Sequence, residues 1–246
     1  MTTPHDRPLW LAHPHDRSAS ATVIAHDGAD GVICAPSLFY PAGGGQPGDS
    51  GRLDWAGGSA DVADTLKAPD HVPGSARLRL APGAALPPVG AAVTMTLDWG
   101  RRHLHMRVHT ALHLLSVVIP RPVTGGQIGA GKGRLDFDMP EAPGDRDALE
   151  AALNALVARD LPVTEDWITD AELDANPGLV KTMSVAPPRG AGRVRLVRIG
   201  AGADQVDLQP CGGTHVASTA EIGPLRLGKI ENKGRQNRRV NLHLAD

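Results

Sequence analysis

Two short segments set the strongest constraint on how this chain can fold: His109-Thr110-Ala111-Leu112-His113 and, almost a hundred residues later, Cys211-Gly212-Gly213-Thr214-His215. The first reads as helix, where residues four apart share a face, so its two imidazoles point the same way. The second has two glycines between a thiol and an imidazole and reads as a tight loop that can fold both side chains onto one point. Together they offer one sulfur and three nitrogens, a tetrahedral donor set of the borderline-soft kind that zinc prefers. A histidine pair at i and i+4 is by itself more often two surface or capping residues. The second segment, with a thiol at the same spacing, is what makes a ligand set. The expectation is one Zn2+ per chain on His109, His113, Cys211 and His215, so the fold must carry a helix and a distant loop to one place.

The pattern around these segments changes near residue 99. Residues 19–26, 31–35, 51–55, 60–66, 76–80 and 93–98 read as short strands between Gly and Pro breaks, with alternation such as Arg77-Leu78-Arg79-Leu80. Six short strands suggest a small β-barrel over residues 1–98. From about Arg101 the period becomes helical, with Leu104, Val108, Leu112, Leu115 and Val118 on one face until Pro120 stops it. His105 precedes the histidine pair by one turn and reads as a surface residue first, with a capping residue or a support behind the ligands as the alternatives. Residues 123–129 and 133–139 read as a hairpin. A helix should start at Asp147, where Asp147 and Glu150 have capping-box spacing, and run to about Asp160. A shorter helix follows Thr169 and ends before Asn176-Pro177. Strands resume at 193–199, 205–208, 225–231 and 238–244. Residues 99–246 therefore read as an α+β domain with helices packed on a mainly antiparallel sheet, and the whole chain as α+β.

Composition narrows the partners. Of 246 residues 41% are hydrophobic, enough for real cores, but only 3% are aromatic, leaving few rings to stack on bases. The formal net charge of −2 excludes an overall basic field, so a nucleic acid would have to meet a local patch. Lys229, Lys233, Arg235, Arg238 and Arg239 against Glu231 form one such run, and Arg101, Arg102 and Arg107 another; each reads equally as a solvated face. Cys34, inside Val32-Ile33-Cys34-Ala35, reads as a buried small hydrophobe. No apolar stretch reaches membrane-spanning length and Met1 to Pro8 lacks a signal-peptide core, so a soluble, cytoplasmic protein is expected, with monomer as the default and no obligatory protein partner.

Polar residues beside the ligands are candidates to read a substrate. Thr110 adjoins His109 and Thr214 adjoins His215, although either hydroxyl can simply cap a helix or turn. Gln127, in Gly125-Gly126-Gln127-Ile128, sits where glycines in a strand imply the close approach of another group. The glycine-rich stretch from Gly43 to Gly51 lacks a GK[ST] ending and is not a phosphate loop. A tight turn between barrel strands accounts for it equally well.

The segments His109 to Leu115 and Cys211 to Val216 resemble the paired signatures of the editing domain of alanyl-tRNA synthetases and of the free-standing AlaX alanyl-tRNA editing proteins. Phe39-Tyr40-Pro41-Ala42-Gly43-Gly44-Gly45-Gln46-Pro47-Gly48-Asp49-Ser50-Gly51 is similar to that family's glycine-rich segment, and Ile230 to Val240 to its C-terminal basic one. The four motifs occur in family order and span most of the chain. Departures fall at Ala42, where many relatives are acidic, at Gly125-Gly126, where many have Gly-Ser, and at Arg134-Leu135-Asp136-Phe137, where many have Arg-Phe-Asp-Phe.

The resemblance implies an ATP-independent aminoacyl-tRNA deacylase that acts in trans on tRNA(Ala) carrying a wrong amino acid, chiefly Ser-tRNA(Ala), with Gly-tRNA(Ala) a second candidate. It implies a catalytic set of His109, His113, Cys211, His215 and Gln127. Thr110, Gly44, Gly45, Gln46, Gly212, Gly213, Thr214, Arg235 and Arg238 would then bind substrate, with the glycine-rich segment helping to select serine. Two other readings stay open on the residues alone: a zinc-stabilised tRNA-binding module without catalysis, and a zinc hydrolase of a different aminoacyl ester.

Overall fold

A computed structural model describes residues 8–69, 72–182 and 192–245. Its contacts divide the chain into two units, Met1–His103 and Leu104–Asp246.

In the first unit a short helix α1 (Leu9–Ala12) precedes six strands: β1 (Ser18–Asp27), β2 (Gly31–Ala35), β3 (Gly51–Trp55), β4 (Gly58–Lys67), β5 (Ala76–Leu80) and β6 (Ala92–Leu97). They close into an antiparallel barrel in the order β1-β2-β5-β4-β3-β6. Period-two alternation makes this possible. Ala76, Leu78 and Leu80 of β5 turn inward while Arg77 and Arg79 turn out, and Val93, Met95 and Leu97 of β6 do the same between exposed residues. Because β6 pairs with both β1 and β3, no strand edge is left to recruit another chain. The buried Cys34 thiol, its pKa pushed up to about 12 by desolvation, is the inert core residue expected.

The glycine-rich segment lies between β2 and β3 and forms a tight turn. Gly43 and Gln46 exchange backbone hydrogen bonds of 3.0 and 2.9 Å, and Gly44 and Gly45 between them have φ of 56° and 83°. Two successive positive φ values define the two-residue hairpin turn that glycine alone enters without strain. The Gln46 residue is buried.

Just beyond this turn Asp49 meets Arg102, the largest fully buried side chain described. Arg102 Nε donates to both carboxylate oxygens at 3.0 Å, Nη2 donates to Asp49 and to the Leu38 carbonyl (2.8 Å), and Nη1 to the Pro14 carbonyl (3.0 Å). Asp49 also accepts the Tyr40 N–H at 2.6 Å. Arg102 is therefore no part of an RNA-facing patch; with 0% of its side chain exposed it ties three loop segments together. Its neighbour Arg101 donates to the Gly48 carbonyl, and Arg107, in the second unit, to the Ile222 carbonyl.

The division between the units falls inside α2 (Trp99–Val118). The second unit continues with β7 (Val123–Gly129), β8 (Lys132–Asp138), α3 (Arg146–Ala158), β9 (Val163–Ile168), α4 (Asp170–Ala175), β10 (Val194–Ile199), β11 (Asp207–Pro210), β12 (Leu225–Asn232) and β13 (Asn237–Leu244). Its strands form two antiparallel sheets, β11-β10-β9 and β12-β13-β8-β7, rather than one. A Cβ on Gly133 of β8 would lie 2.6 Å from Val108 and 3.1 Å from Leu112, so glycine is what lets α2 settle on the four-stranded sheet. Register places Leu242 opposite Gly133 and Val240 opposite Leu135, giving this face a buried apolar row.

Two local expectations change, and one strand stands where none was expected. Asp145, not Asp147, caps α3, accepting the N–H groups of Asp147 and Ala148 at 3.0 Å, while Glu150 instead accepts the Leu227 N–H. The strand β9, Val-Thr-Glu-Asp-Trp-Ile, lacks clean alternation and carries two adjacent acids; its pairing with β10 makes it a strand. His105 is 1% exposed, on a stretch of α2 where Arg102, Met106 and Val108 are buried too. The short helix after Thr169 forms as expected, started by a capping box between Thr169 and Glu172.

Replacing Asp49 by Ala should strand a buried guanidinium and cost about 3–5 kcal/mol, whereas the double change Asp49→Leu, Arg102→Met should recover much of that loss. Denaturant unfolding of the three proteins reads this directly; a single-variant loss below about 1 kcal/mol would show that the pair is not the tie described.

Candidate metal centre

His109 and His113 sit one turn apart on α2, and the Cys211-Gly212-Gly213-Thr214-His215 loop leaves the end of β11. The fold brings them together: the four ligand atoms all lie within 4.8 Å of one another. Cys211 Sγ is 3.4 Å from His109 Nε2 and 3.3 Å from His215 Nε2. The rings of His109 and His215 have centroids 4.2 Å apart, and His113 stands edge-on to both. All three histidines are buried, while Cys211 is part-exposed and Gly212 beside it is open, with nothing within 4 Å of where a Cβ would stand.

Protonation supports a metal-binding role. Burial would raise the Cys211 pKa, but the charges of His109 and His215 and hydrogen bonds from His109 and His113 hold it well below its ordinary value. Burial, together with the charge of His109, holds His215 well below its ordinary pKa. A thiolate beside a neutral imidazole is the state in which both donate lone pairs.

Behind the ligands lies a set of residues that orient them. The Thr110 hydroxyl donates to the Met106 carbonyl (2.9 Å), so at 3.1 Å it accepts from His215 Nδ1–H and leaves Nε2 free for the cluster. Thr110 is fully buried; it holds a ligand and does not face a substrate. His113 Nδ1 donates to Asp207 Oδ2 at 3.0 Å, and Asp207 also accepts from Lys181 Nζ (2.6 Å) and Gln209 Nε2 (2.7 Å). Burial would lower the His113 pKa, but hydrogen bonds to Asp207 and Cys211 and their negative charges outweigh it, raising it to about 9. Burial would raise the Asp207 pKa, yet His113 and Lys181 bring it down to about 2. The loop is clamped by Arg195 of β10, whose Nη1 donates to the carbonyls of Cys211 and Gly213, both at 2.9 Å, and whose Nε donates to Glu165 of β9 at 2.7 Å.

Asp207, Gln209, Lys181 and Arg195 went unread in the sequence. Two polar residues on the inward positions of β11, four and two before Cys211, were the available signal for Asp207 and Gln209. Lys181 carries none, since it arrives through the Val123 N–H bond to its carbonyl, a tertiary contact.

The other expected site residues part company with the ligands. Gln127 is exposed on β7 and accepts from Arg134 Nε at 3.3 Å. Arg134 neighbours Gly133, so alternation turns it, and Gln127 with it, to the sheet face opposite α2. Gln127 is therefore not brought to the ligand cluster. Thr214 is fully buried and Gly213 is buried, leaving Gly212 as the loop's exposed position. Arg238 Nη1 donates to Asn232, Gly234 and Asn237, locking the β12–β13 turn, whereas Arg235 is exposed at its tip. Gly44, Gly45 and Gln46 belong to the barrel unit's turn.

The α+β unit and its Cys/His3 cluster define the class. Residues 194–241 match the family model of the threonyl and alanyl tRNA synthetase second additional domain. The chain is 31% identical over 229 residues to the alanyl-tRNA editing protein AlaX-M of Methanosarcina acetivorans, covering 87% of this chain and 89% of that one, and 30% identical over 241 residues to AlaX-M of Methanosarcina barkeri. It belongs to the AlaX-M family of alanyl-tRNA editing proteins. It is also 33% identical over 236 residues to the alanine–tRNA ligase of Pyrobaculum arsenaticum, of which it spans 26%.

Asp207→Asn should loosen metal about 10–100-fold while the fold persists, as removal of an orienting carboxylate does elsewhere; competition with a chelator measures it, and unchanged affinity would remove Asp207 from the site. Because His113 is raised to about 9, the metal-free protein holds a proton there at pH 7 that a metal must displace. Apparent metal affinity should thus climb as pH rises from 7 towards 9, by up to about tenfold per unit for one proton, and level off above.

Proposed function

We propose that this chain is a trans-acting zinc deacylase that hydrolyses the ester joining a wrong amino acid, serine foremost and glycine second, to tRNA(Ala). The observation that carries the reading is the convergence of His109, His113, Cys211 and His215 beside the part-exposed Cys211 and the open Gly212. Family membership supports it, since the AlaX-M relatives are named alanyl-tRNA editing proteins. The donor set, one thiolate and three imidazoles, fits zinc. Zinc held there would supply Lewis acidity to a bound ester or position the aminoacyl group.

The chain's own residues do the rest. Asp207 and Thr110 fix His113 and His215 with their Nε2 atoms turned to the cluster, so these two need not reorient when the site is used. Arg195 holds the loop carbonyls of Cys211 and Gly213 inward, which leaves the backbone at Gly212 as the wall a substrate would pass. Arg235, exposed at the β12–β13 tip, is a candidate for the tRNA backbone; the glycine turn at Gly44-Gly45 is a candidate for aminoacyl selection. We take the protein to act as a cytoplasmic monomer; no described helix is long and apolar enough to cross a membrane.

The chemistry of the problem explains why such an enzyme is needed. A synthesis site shaped for alanine cannot strongly reject a near-isostere that adds a hydroxyl. A second site that hydrogen-bonds the hydroxyl can, because alanine would leave its polar partner unpaired. Ser-tRNA(Ala) should therefore be deacylated faster than Ala-tRNA(Ala), by about tenfold for one well-made bond of roughly 1.5 kcal/mol, with Gly-tRNA(Ala) between them or a poor substrate. Deacylation of the labelled aminoacyl-tRNAs measures this. Absence of turnover would leave a metal-stabilised binding module, and equal rates on unrelated aminoacyl-tRNAs would make the protein a hydrolase of other esters. Cys211→Ala should lose both metal and turnover.

A further inference from the structure

The face of the β12-β13-β8-β7 sheet turned away from α2 carries a feature that the metal centre does not use. Register sets Lys132 of β8 opposite His243 of β13, and His243 opposite Arg226 of β12, so three basic side chains form one row across three strands. Lys132 and Arg226 are exposed. The next row holds Gln127, Arg134 and Asn241. Between the rows lies a depression of about 370 Å³ lined by Gln127, Gly129, Lys132, Arg134, Asn241 and His243 together with Ile128 and Gly133. The imidazole of His243 lies across Gly228 of β12, where any Cβ would stand 2.6 Å from its Nε2.

No carboxylate lines this depression. The nearest acids on the same face are already engaged: Asp136 by Arg134 and Arg239, which hold its pKa low, and Glu231 by Lys233 and Asn241. A concave surface offering cations, the exposed Gln127 amide and an imidazole, with no carboxylate in its lining, is complementary to phosphate. Its residues lack the aromatic rings that stack on bases, so contact would be to a sugar–phosphate backbone.

We propose that this sheet face is a backbone-phosphate site for RNA, with Lys132 and Arg226 as its charged contacts and, as hydrogen-bonding partners, His243 between them and the amide of Gln127 in the next row. The inference rests on the deacylase reading for its source of phosphate, the body of the tRNA. It assigns binding to a surface that does not include the reacting ester. Such contacts hold the tRNA whatever amino acid it carries, and they separate affinity from selection.

Uncharged tRNA(Ala) transcript is the probe, titrated over a range of salt against the full-length, metal-loaded protein and two variants, Lys132→Gln/Arg226→Gln and Lys132→Glu/Arg226→Glu. Loss of two phosphate contacts should weaken binding at low salt by tenfold or more and shrink the slope of log affinity against log salt by about 2. Metal content and thermal midpoint should stay as in the parent. In deacylation, KM should rise by the same factor for Ser-tRNA(Ala) and Ala-tRNA(Ala) while kcat is retained. An unchanged slope and affinity in both variants would overturn the proposal, as would loss of poly-glutamate binding with tRNA binding intact, which would give the face to an acidic protein. Weakened tRNA binding in a protein that deacylates nothing would keep this site and fail the deacylase reading. Turnover with unaltered binding would do the reverse.

Discussion

The His113–Asp207 hydrogen bond is the contact on which the second unit's chemistry depends. It joins α2 to β11 at the point where two ligands on a helix must meet two on a loop. A buried carboxylate facing a buried imidazole is costly unless each satisfies the other, and Lys181 and Gln209 complete the satisfaction of Asp207. The result is a ligand whose ring cannot turn, with Nδ1 committed and Nε2 presented. Thr110 does the same for His215 with a neutral hydroxyl. The site is thus held from behind by groups that never touch the metal position.

The two units use buried polar contacts to different ends. In the barrel unit the Asp49–Arg102 pair carries no chemistry; it closes loops around a core in which Trp10, Phe39 and Tyr40 pack among aliphatic residues. In the second unit the buried polar residues are concentrated around the ligands: Thr110, Ser116, Asp207, Gln209 and Thr214. Arg195 links that centre to the three-stranded sheet, since its guanidinium spans Glu165 of β9 and the loop carbonyls after β11. A sheet of only three strands is thereby tied to the loop it must position.

Gly133 shows how a packing constraint and a functional one coincide. The helix that carries His109 and His113 must lie close to β8, and a side chain at 133 would push it away by contact with Val108 and Leu112. Glycine there costs strand stability. It also sets the height of the ligands above the sheet.

Much was legible in the sequence because it was local. Barrel strands announced themselves by period two, α2 by period 3.6, and the ligand set by two four-residue spacings whose donors have few other reasons to recur together. What was illegible was everything decided across the chain. His105 looked like a surface residue because the pattern of one helix cannot show what covers it. Arg102 looked like a patch residue because its acid lies more than fifty positions earlier. Gln127 looked like a pocket residue because glycines flank it, yet strand alternation, settled by the pairing with β8, turns it to the far face. The row Lys132–His243–Arg226 exists only through register, which no spacing encodes. By itself the sequence determined most of the elements, the four donors that come together and the family, since periodicity and donor chemistry act over a few residues. Only the tertiary structure decided which polar groups face one another, because a buried hydrogen bond or ion pair is a relation between segments that meet by folding.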